Sequence, residues 1–153
     1  MYLISACLCG VNCKYNGKNN LNEKCLKLLK ENKAVLVCPE QLGGLKTPRN
    51  PSEIKNGSAK DILEGIKGKV VMNNGSDVTS NYVKGAMETL FIAKNINIEA
   101  AILKESSPSC GANFIYDGTF SNVKIKGMGI TAWLLKENNI KVISEKDLEN
   151  LDL

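Results

Sequence analysis

The sequence predicts an α/β fold: one domain over residues 1–153, built on a mainly parallel, doubly wound sheet of the Rossmann-like or flavodoxin-like kind, with helices on both faces. Two observations carry that prediction. The length of 153 residues suits one compact domain with a substantial core. Short apolar runs of strand length alternate with stretches of helical periodicity, and no repeat, low-complexity tract or linker interrupts them.

The elements follow in order. Residues 2–6 form a short apolar run and read as a buried strand; residues 7–19 carry Gly, Asn and Lys and read as a loop. Leu21, Cys25, Leu28 and Leu29 recur at helical spacing and predict a helix to about Glu31, with Cys25 as a small core residue on its apolar stripe. Residues 34–37 are a second strand, and a long loop follows through residues 38–57, holding three of the four prolines. Residues 69–72 are a third strand candidate. Asp77 or Thr79 can cap the next helix, whose expected buried face is Val78, Tyr82, Val83, Ala86, Met87, Leu90 and Phe91. Residues 100–103 are a strand leading into KESSPSCG. Residues 114–116 and 123–125 flank Asp117-Gly118 as a hairpin. Ile130, Trp133 and Leu134 mark a helix, residues 141–143 a last strand and residues 145–151 a short last helix.

Composition narrows the function classes. A net charge of +4 leaves room for an anionic ligand and argues against a nucleic-acid-binding surface. The N-terminus MYLISACLCG lacks a basic n-region, its apolar run is too short for a signal peptide, and no stretch approaches a membrane span. The chain therefore reads as cytoplasmic, where its six cysteines are metal-binding, catalytic or buried rather than disulfide-bonded. There is no histidine, so acid–base chemistry falls to a carboxylate, thiol, lysine, tyrosine or water. One arginine, Arg49, stands against nineteen lysines, which points to a need for its planar fork.

The thiols converge when placed on such a sheet. Cys7 follows the first strand, Cys38 the second, and Cys110 the strand ending at Leu103. In an open parallel sheet ligands bind outside the carboxyl ends of the strands, so these three should meet there. Convergent thiolates without histidine suit a soft metal centre. Three suit an iron–sulfur cluster with one open iron; Cys9 or Cys13 as a fourth would instead close a zinc site. A non-catalytic metal-binding or redox-sensing protein, or a metal-free thiol enzyme led by Cys110, uses the same residues.

The motifs SACLCG, CPEQLGGLKTPRNPSEI, GSDVT, LKESSPSCG and IYDGTF span almost the whole chain in order, and their series resembles that of the thiouracil desulfidase family. The resemblance implies a [4Fe–4S] cluster bound by Cys7, Cys38 and Cys110, with one iron open. It implies a non-redox reaction in which water oxygen replaces the sulfur of a small thiolated pyrimidine, free or as its nucleotide, giving uracil or its nucleotide and hydrogen sulfide. It implies Glu40 as the acid–base residue and an assisting serine in the SPSC turn, with Ser107 first and Ser109 behind it. Cys9 departs from the family's usual aliphatic residue. Arg49 is expected either to reach an anionic substrate group or to tie the long loop down. Lys104 and the stretch 127–131 before a helix offer a place for a phosphate, although the Gly pattern of that stretch reads first as a tight turn.

Overall fold

The computed structural model describes residues 1–150. The chain runs β1 (Tyr2–Ser5), a 3-10 turn (Ala6–Cys9), α1 (Glu23–Lys30), β2 (Ala34–Val37), α2 (Pro39–Leu42), β3 (Ser52–Lys55), α3 (Ala59–Leu63) and β4 (Lys69–Met72). It continues through α4 (Thr79–Asn95), β5 (Ala100–Leu103), β6 (Phe114–Tyr116), β7 (Lys124–Lys126), α5 (Ile130–Glu137) and β8 (Val142–Ser144) to a 3-10 stretch (Glu145–Asn150). The predicted last helix is thus a 3-10 stretch; its end at Leu151 lies outside the described residues.

The central sheet has the order β2-β1-β5-β8 and is parallel throughout. Its direction of winding reverses between β1 and β5, the position where doubly wound sheets open a crevice for ligands. Strand alternation builds a core on each face. Leu3, Ala101 and Leu103 pack with Leu90 and Ala93 of α4 and with Ala132 and Leu135 of α5. Ile4 and Ile102 pack on the other face with Cys25 and Leu28 of α1, and with Leu8 and Leu148. The predicted two-faced sheet is therefore observed.

Several elements differ from expectation. β4 lies outside the central sheet and pairs antiparallel with β3, a strand inside the predicted long loop. That pair covers the far side of α4, where Ile54 and Val70 meet Tyr82 and Ala86. The same loop also contains α2, and α3 follows under a Ser58–Asp61 capping box. α1 begins at Glu23, because Asn22 accepts a hydrogen bond from Cys25 N–H, so Leu21 is left 49% exposed. On α4, Met87 and Phe91 are 52% and 66% exposed. Val78, Tyr82, Ala86 and Leu90 are buried as expected, and the stripe is completed by Gly85, Thr89 and Ala93, small residues that let neighbouring helices approach. The β6–β7 hairpin pairs Tyr116 with Lys124, so Asp117-Gly118 begins a longer loop rather than a two-residue turn. Gly118 N–H is held by Glu53, at 2.9 Å.

Two close backbone contacts set the walls of the crevice. A Cβ on Gly43 would lie 2.0 Å from the Asn81 carbonyl oxygen, and one on Gly85 would lie 1.9 Å from that of Pro39. Only glycine at both positions allows α2 to rest on α4 at this distance. The Ser107–Gly111 turn rests on α5 in a similar way. Ile130 N–H donates to Pro108 O (2.8 Å), and the N–H groups of Thr131 and Ala132 donate to Ser109 O (2.9 and 3.1 Å). These bonds satisfy the first turn of α5, whose N–H groups have no partner within the helix. The stretch 127–131 is a packing turn, as its glycines suggest, and the N–H groups of Gly127, Gly129, Ile130 and Thr131 are all spent on backbone carbonyls.

Glu105 closes the other side of that turn. Its buried carboxylate accepts from the N–H groups of Ser106, Asn113 and Phe114 and from the Asn113 amide. Burial pushes this carboxyl up, but the donors outweigh it and hold it below the ordinary range. A lowered folded-state value gives stability that is complete above the unfolded-state pKa and is lost as pH falls through the folded one. Glu105→Gln should therefore cost about 2 kcal/mol near neutral pH, and the gap to the parent should narrow below about pH 4. Denaturant midpoints across that range check this. Gly85→Ala should cost about 2–3 kcal/mol, because α2 must lift off α4, and the same midpoints measure it.

Candidate active site

A cavity of about 500 Å³ opens at the carboxyl ends of β1, β2 and β5. Four thiols line it: the expected Cys7, Cys38 and Cys110, together with Cys13. Cys13 is almost fully buried, and its thiol hydrogen-bonds to both Cys7 and Cys38. That donation lowers both neighbours. Cys38 is pushed down to about 7, helped by the Gln41 N–H and opposed by burial. Cys7 is lowered first by Cys13 and further by Asn20 and Lys104, against burial. Cys13 itself is raised by the same two bonds. Cys110 is raised by burial, although a hydrogen bond with Ser5 acts against that. All six cysteines are free thiols. Cys9 and Cys25 lie in the core under the opposite face, where burial raises them to about 11 and about 12.

Glu40 sits on α2, two residues beyond Cys38, and its side chain is partly exposed to the cavity. Oε2 accepts from Arg49 Nε (2.7 Å) and from Arg49 Nη2. Oε1 accepts from the buried Tyr82 hydroxyl of α4 at 2.9 Å. A carboxylate has about four acceptor positions, so one on Oε1 is left.

Arg49 is 4% exposed in its side chain. Its remaining N–H groups go to Lys46 O (3.3 Å), Thr47 Oγ1 (3.0 Å) and Cys13 O (2.9 Å). All five guanidinium donors are thus used inside the protein. Of its two expected roles, tying down the loop is the one the geometry supports; no donor is left for substrate. Its own backbone N–H donates to Tyr15 O at 2.8 Å.

The two serines separate. Ser107 lines the cavity, and its Oγ accepts from the N–H groups of Ser109 and Cys110, both at 3.1 Å, leaving its own O–H to donate. Ser109 is fully buried and hydrogen-bonds Thr131 Oγ1 at 2.8 Å, so it fastens the turn to α5 and does not line the cavity. Its expected place at the substrate is corrected accordingly. Lys104 lines the cavity and spends two of its three N–H groups, on Glu105 O (3.0 Å) and Glu145 Oε1 (2.8 Å).

The donors available to a cofactor are sulfur. Glu40 is held by Arg49 and Tyr82, Glu105 by four N–H groups, and Glu53 by the N–H groups of Gly118 and Phe120. Among the described residues, no three Cys, Asp or Glu side chains are gathered around one point for a single ion. Sequence reasoning left Cys13 open, took Tyr82 for core alone, and passed over Ser5 and Glu105. The signal for Tyr82 was available, since a buried tyrosine hydroxyl needs a partner.

Comparison with known proteins agrees with this geometry. The chain is 53% identical over 151 residues to YbbK of Bacillus subtilis (strain 168), described as uncharacterized, covering 99% of each. It is 38% identical to a solved structure described as a [4Fe-4S]-dependent thiouracil desulfidase, TudS, at a TM-score of 0.85, covering 98% of this chain and 93% of that one. The family model for 2-thiouracil desulfurase matches residues 2–147. With the thiol-lined crevice and its adjoining carboxylate in the expected order, the chain belongs to the 2-thiouracil desulfurase family.

Proposed function

We propose that this chain exchanges the sulfur of a small thiolated pyrimidine for the oxygen of water, using a [4Fe–4S] cluster held by Cys7, Cys38 and Cys110. The observation that carries this reading is a sulfur-only donor set beside a carboxylate with one acceptor position free. Thiols that line one cavity without closing around a single ion suit a multi-iron cluster better than a lone metal ion. When bound, such a cluster supplies a Lewis-acidic iron for a thiocarbonyl sulfur.

The protein's own residues supply the rest. Glu40 Oε1 accepts the proton of a water whose oxygen adds to the ring carbon. The carbon–sulfur bond then breaks, and the sulfur leaves as hydrogen sulfide with the protons the water gave up. No electron is gained or lost. Tyr82 and Arg49 hold Glu40 so that its free position faces the cavity. Ser107 donates its O–H to charge developing on the substrate. Lys104, with one N–H uncommitted, meets an acidic group of the substrate. A free acceptor and a free donor in one cavity support an enzyme over a purely metal-binding or sensing protein. The reading extends to a single domain over residues 1–153 in a reducing, cytoplasmic setting, which suits six free thiols.

Anaerobic reconstitution with iron and sulfide, followed by sulfide-release assays on thiouracils, tests the proposal; a reconstituted protein that releases no sulfide overturns it. Glu40→Gln should keep its iron and lose on the order of a hundredfold in turnover, whereas Cys110→Ser should lose the iron itself. Arg49→Lys should lower kcat about tenfold or more with little change in KM, because a point charge cannot hold Glu40 through two parallel bonds. Iron analysis and steady-state kinetics on each variant check both outcomes.

A further inference from the structure

Ser52 opens β3 and lines the same cavity. It is 8% exposed. Among the described residues, its Oγ is the one buried side-chain oxygen or nitrogen with no hydrogen-bond partner. The hydroxyl lies beside that of Tyr82, whose proton goes to Glu40 Oε1; it is near enough to act on the Tyr82 oxygen as a donor but does not reach hydrogen-bond geometry. Its backbone is fixed in the ladder opposite Met72, and Glu53 and Ile54 after it are buried, so the strand cannot turn the hydroxyl out to solvent.

A buried hydroxyl without a partner is costly, and native structures pair nearly all of them. Here the partner has to enter through the cavity. A serine hydroxyl both donates and accepts, so it matches the edge of a pyrimidine, where ring N–H groups and a ring carbonyl alternate. It also sits on a strand rather than a loop, which suits a group that must hold one position. We propose that Ser52 is a specificity-determining residue whose hydroxyl bonds a polar ring-edge atom of the thiolated base while Glu40 acts on the carbon. This inference rests on the desulfuration reading above.

The test compares reconstituted parent and Ser52→Ala proteins with 2-thiouracil and 4-thiouracil as substrates, and with uracil as a binding probe in equilibrium dialysis. The variant should keep the parent's iron content and nearly all of its thermal midpoint, since the lost hydroxyl makes no hydrogen bond of normal geometry in the folded chain. Its KM and its uracil Kd should rise about tenfold with kcat within about twofold, the size expected for one neutral hydrogen bond to ligand. Unchanged KM and Kd overturn the inference and leave the desulfuration reading standing. A fall in kcat alone also overturns it, since Ser52 would then act through Tyr82 rather than on substrate. A parent protein that neither releases sulfide nor binds uracil sinks the functional reading, and this inference with it.

Discussion

The buried ion pair between Arg49 and Glu40 is the constraint on which the rest of the cavity depends. Removing two charges from water is expensive, and such a pair holds only when every remaining donor and acceptor is matched. Arg49 meets that condition by spreading five N–H groups over Glu40, Thr47, Lys46 and Cys13. One side chain therefore joins the carboxylate after β2, the proline-containing loop, and the segment carrying Cys13. If any of these moved, a buried charge would be left unpaired.

The ion pair needs a fixed floor, and the α4–α5 layer provides it. α2 rests on α4 through Gly43 and Gly85, which brings Tyr82 under Glu40. The SPSC turn rests on α5 through the Pro108 and Ser109 carbonyls, which fixes Ser107 and Cys110. Both walls of the crevice thus refer to helices packed on one face of the sheet. The thiols of Cys7 and Cys38 come directly from strand ends on that sheet. Chemistry that depends on the spacing of sulfur, carboxylate and hydroxyl is carried on rigid elements rather than on free loops.

Much of this was legible in the residues. The apolar runs at 34–37, 69–72, 100–103 and 114–116 match strands residue for residue, because short runs bounded by polar residues, Gly or Cys leave little choice of ends. The convergence of Cys7, Cys38 and Cys110 followed from strand–helix alternation alone. What was not legible depended on partners distant in sequence. α2 and β3 lie in a segment whose prolines read as loop, and they are stabilised by α4 and β4. The exposure of Met87 and Phe91 follows from small residues facing close-packed helices, which a hydrophobicity pattern ranks the wrong way round. Ser107 and Ser109 are chemically alike, and only Thr131 distinguishes them. Arg49 could be singled out from composition, yet its partners are spread over thirty-six residues of sequence, the separation from Cys13.

The division of the six thiols has a practical consequence. Cys7, Cys13, Cys38 and Cys110 line a cavity that opens to solvent, whereas Cys9 and Cys25 are enclosed in the core between the sheet and α1. An alkylating reagent small enough to enter the cavity reaches the first set in the native protein and the second only when the core opens. Peptide mapping of labelled Cys9 and Cys25 would then serve as an internal clock for opening of the α1 face. Labelling of Cys7, Cys38 and Cys110 would count vacant sulfur ligands in the same sample.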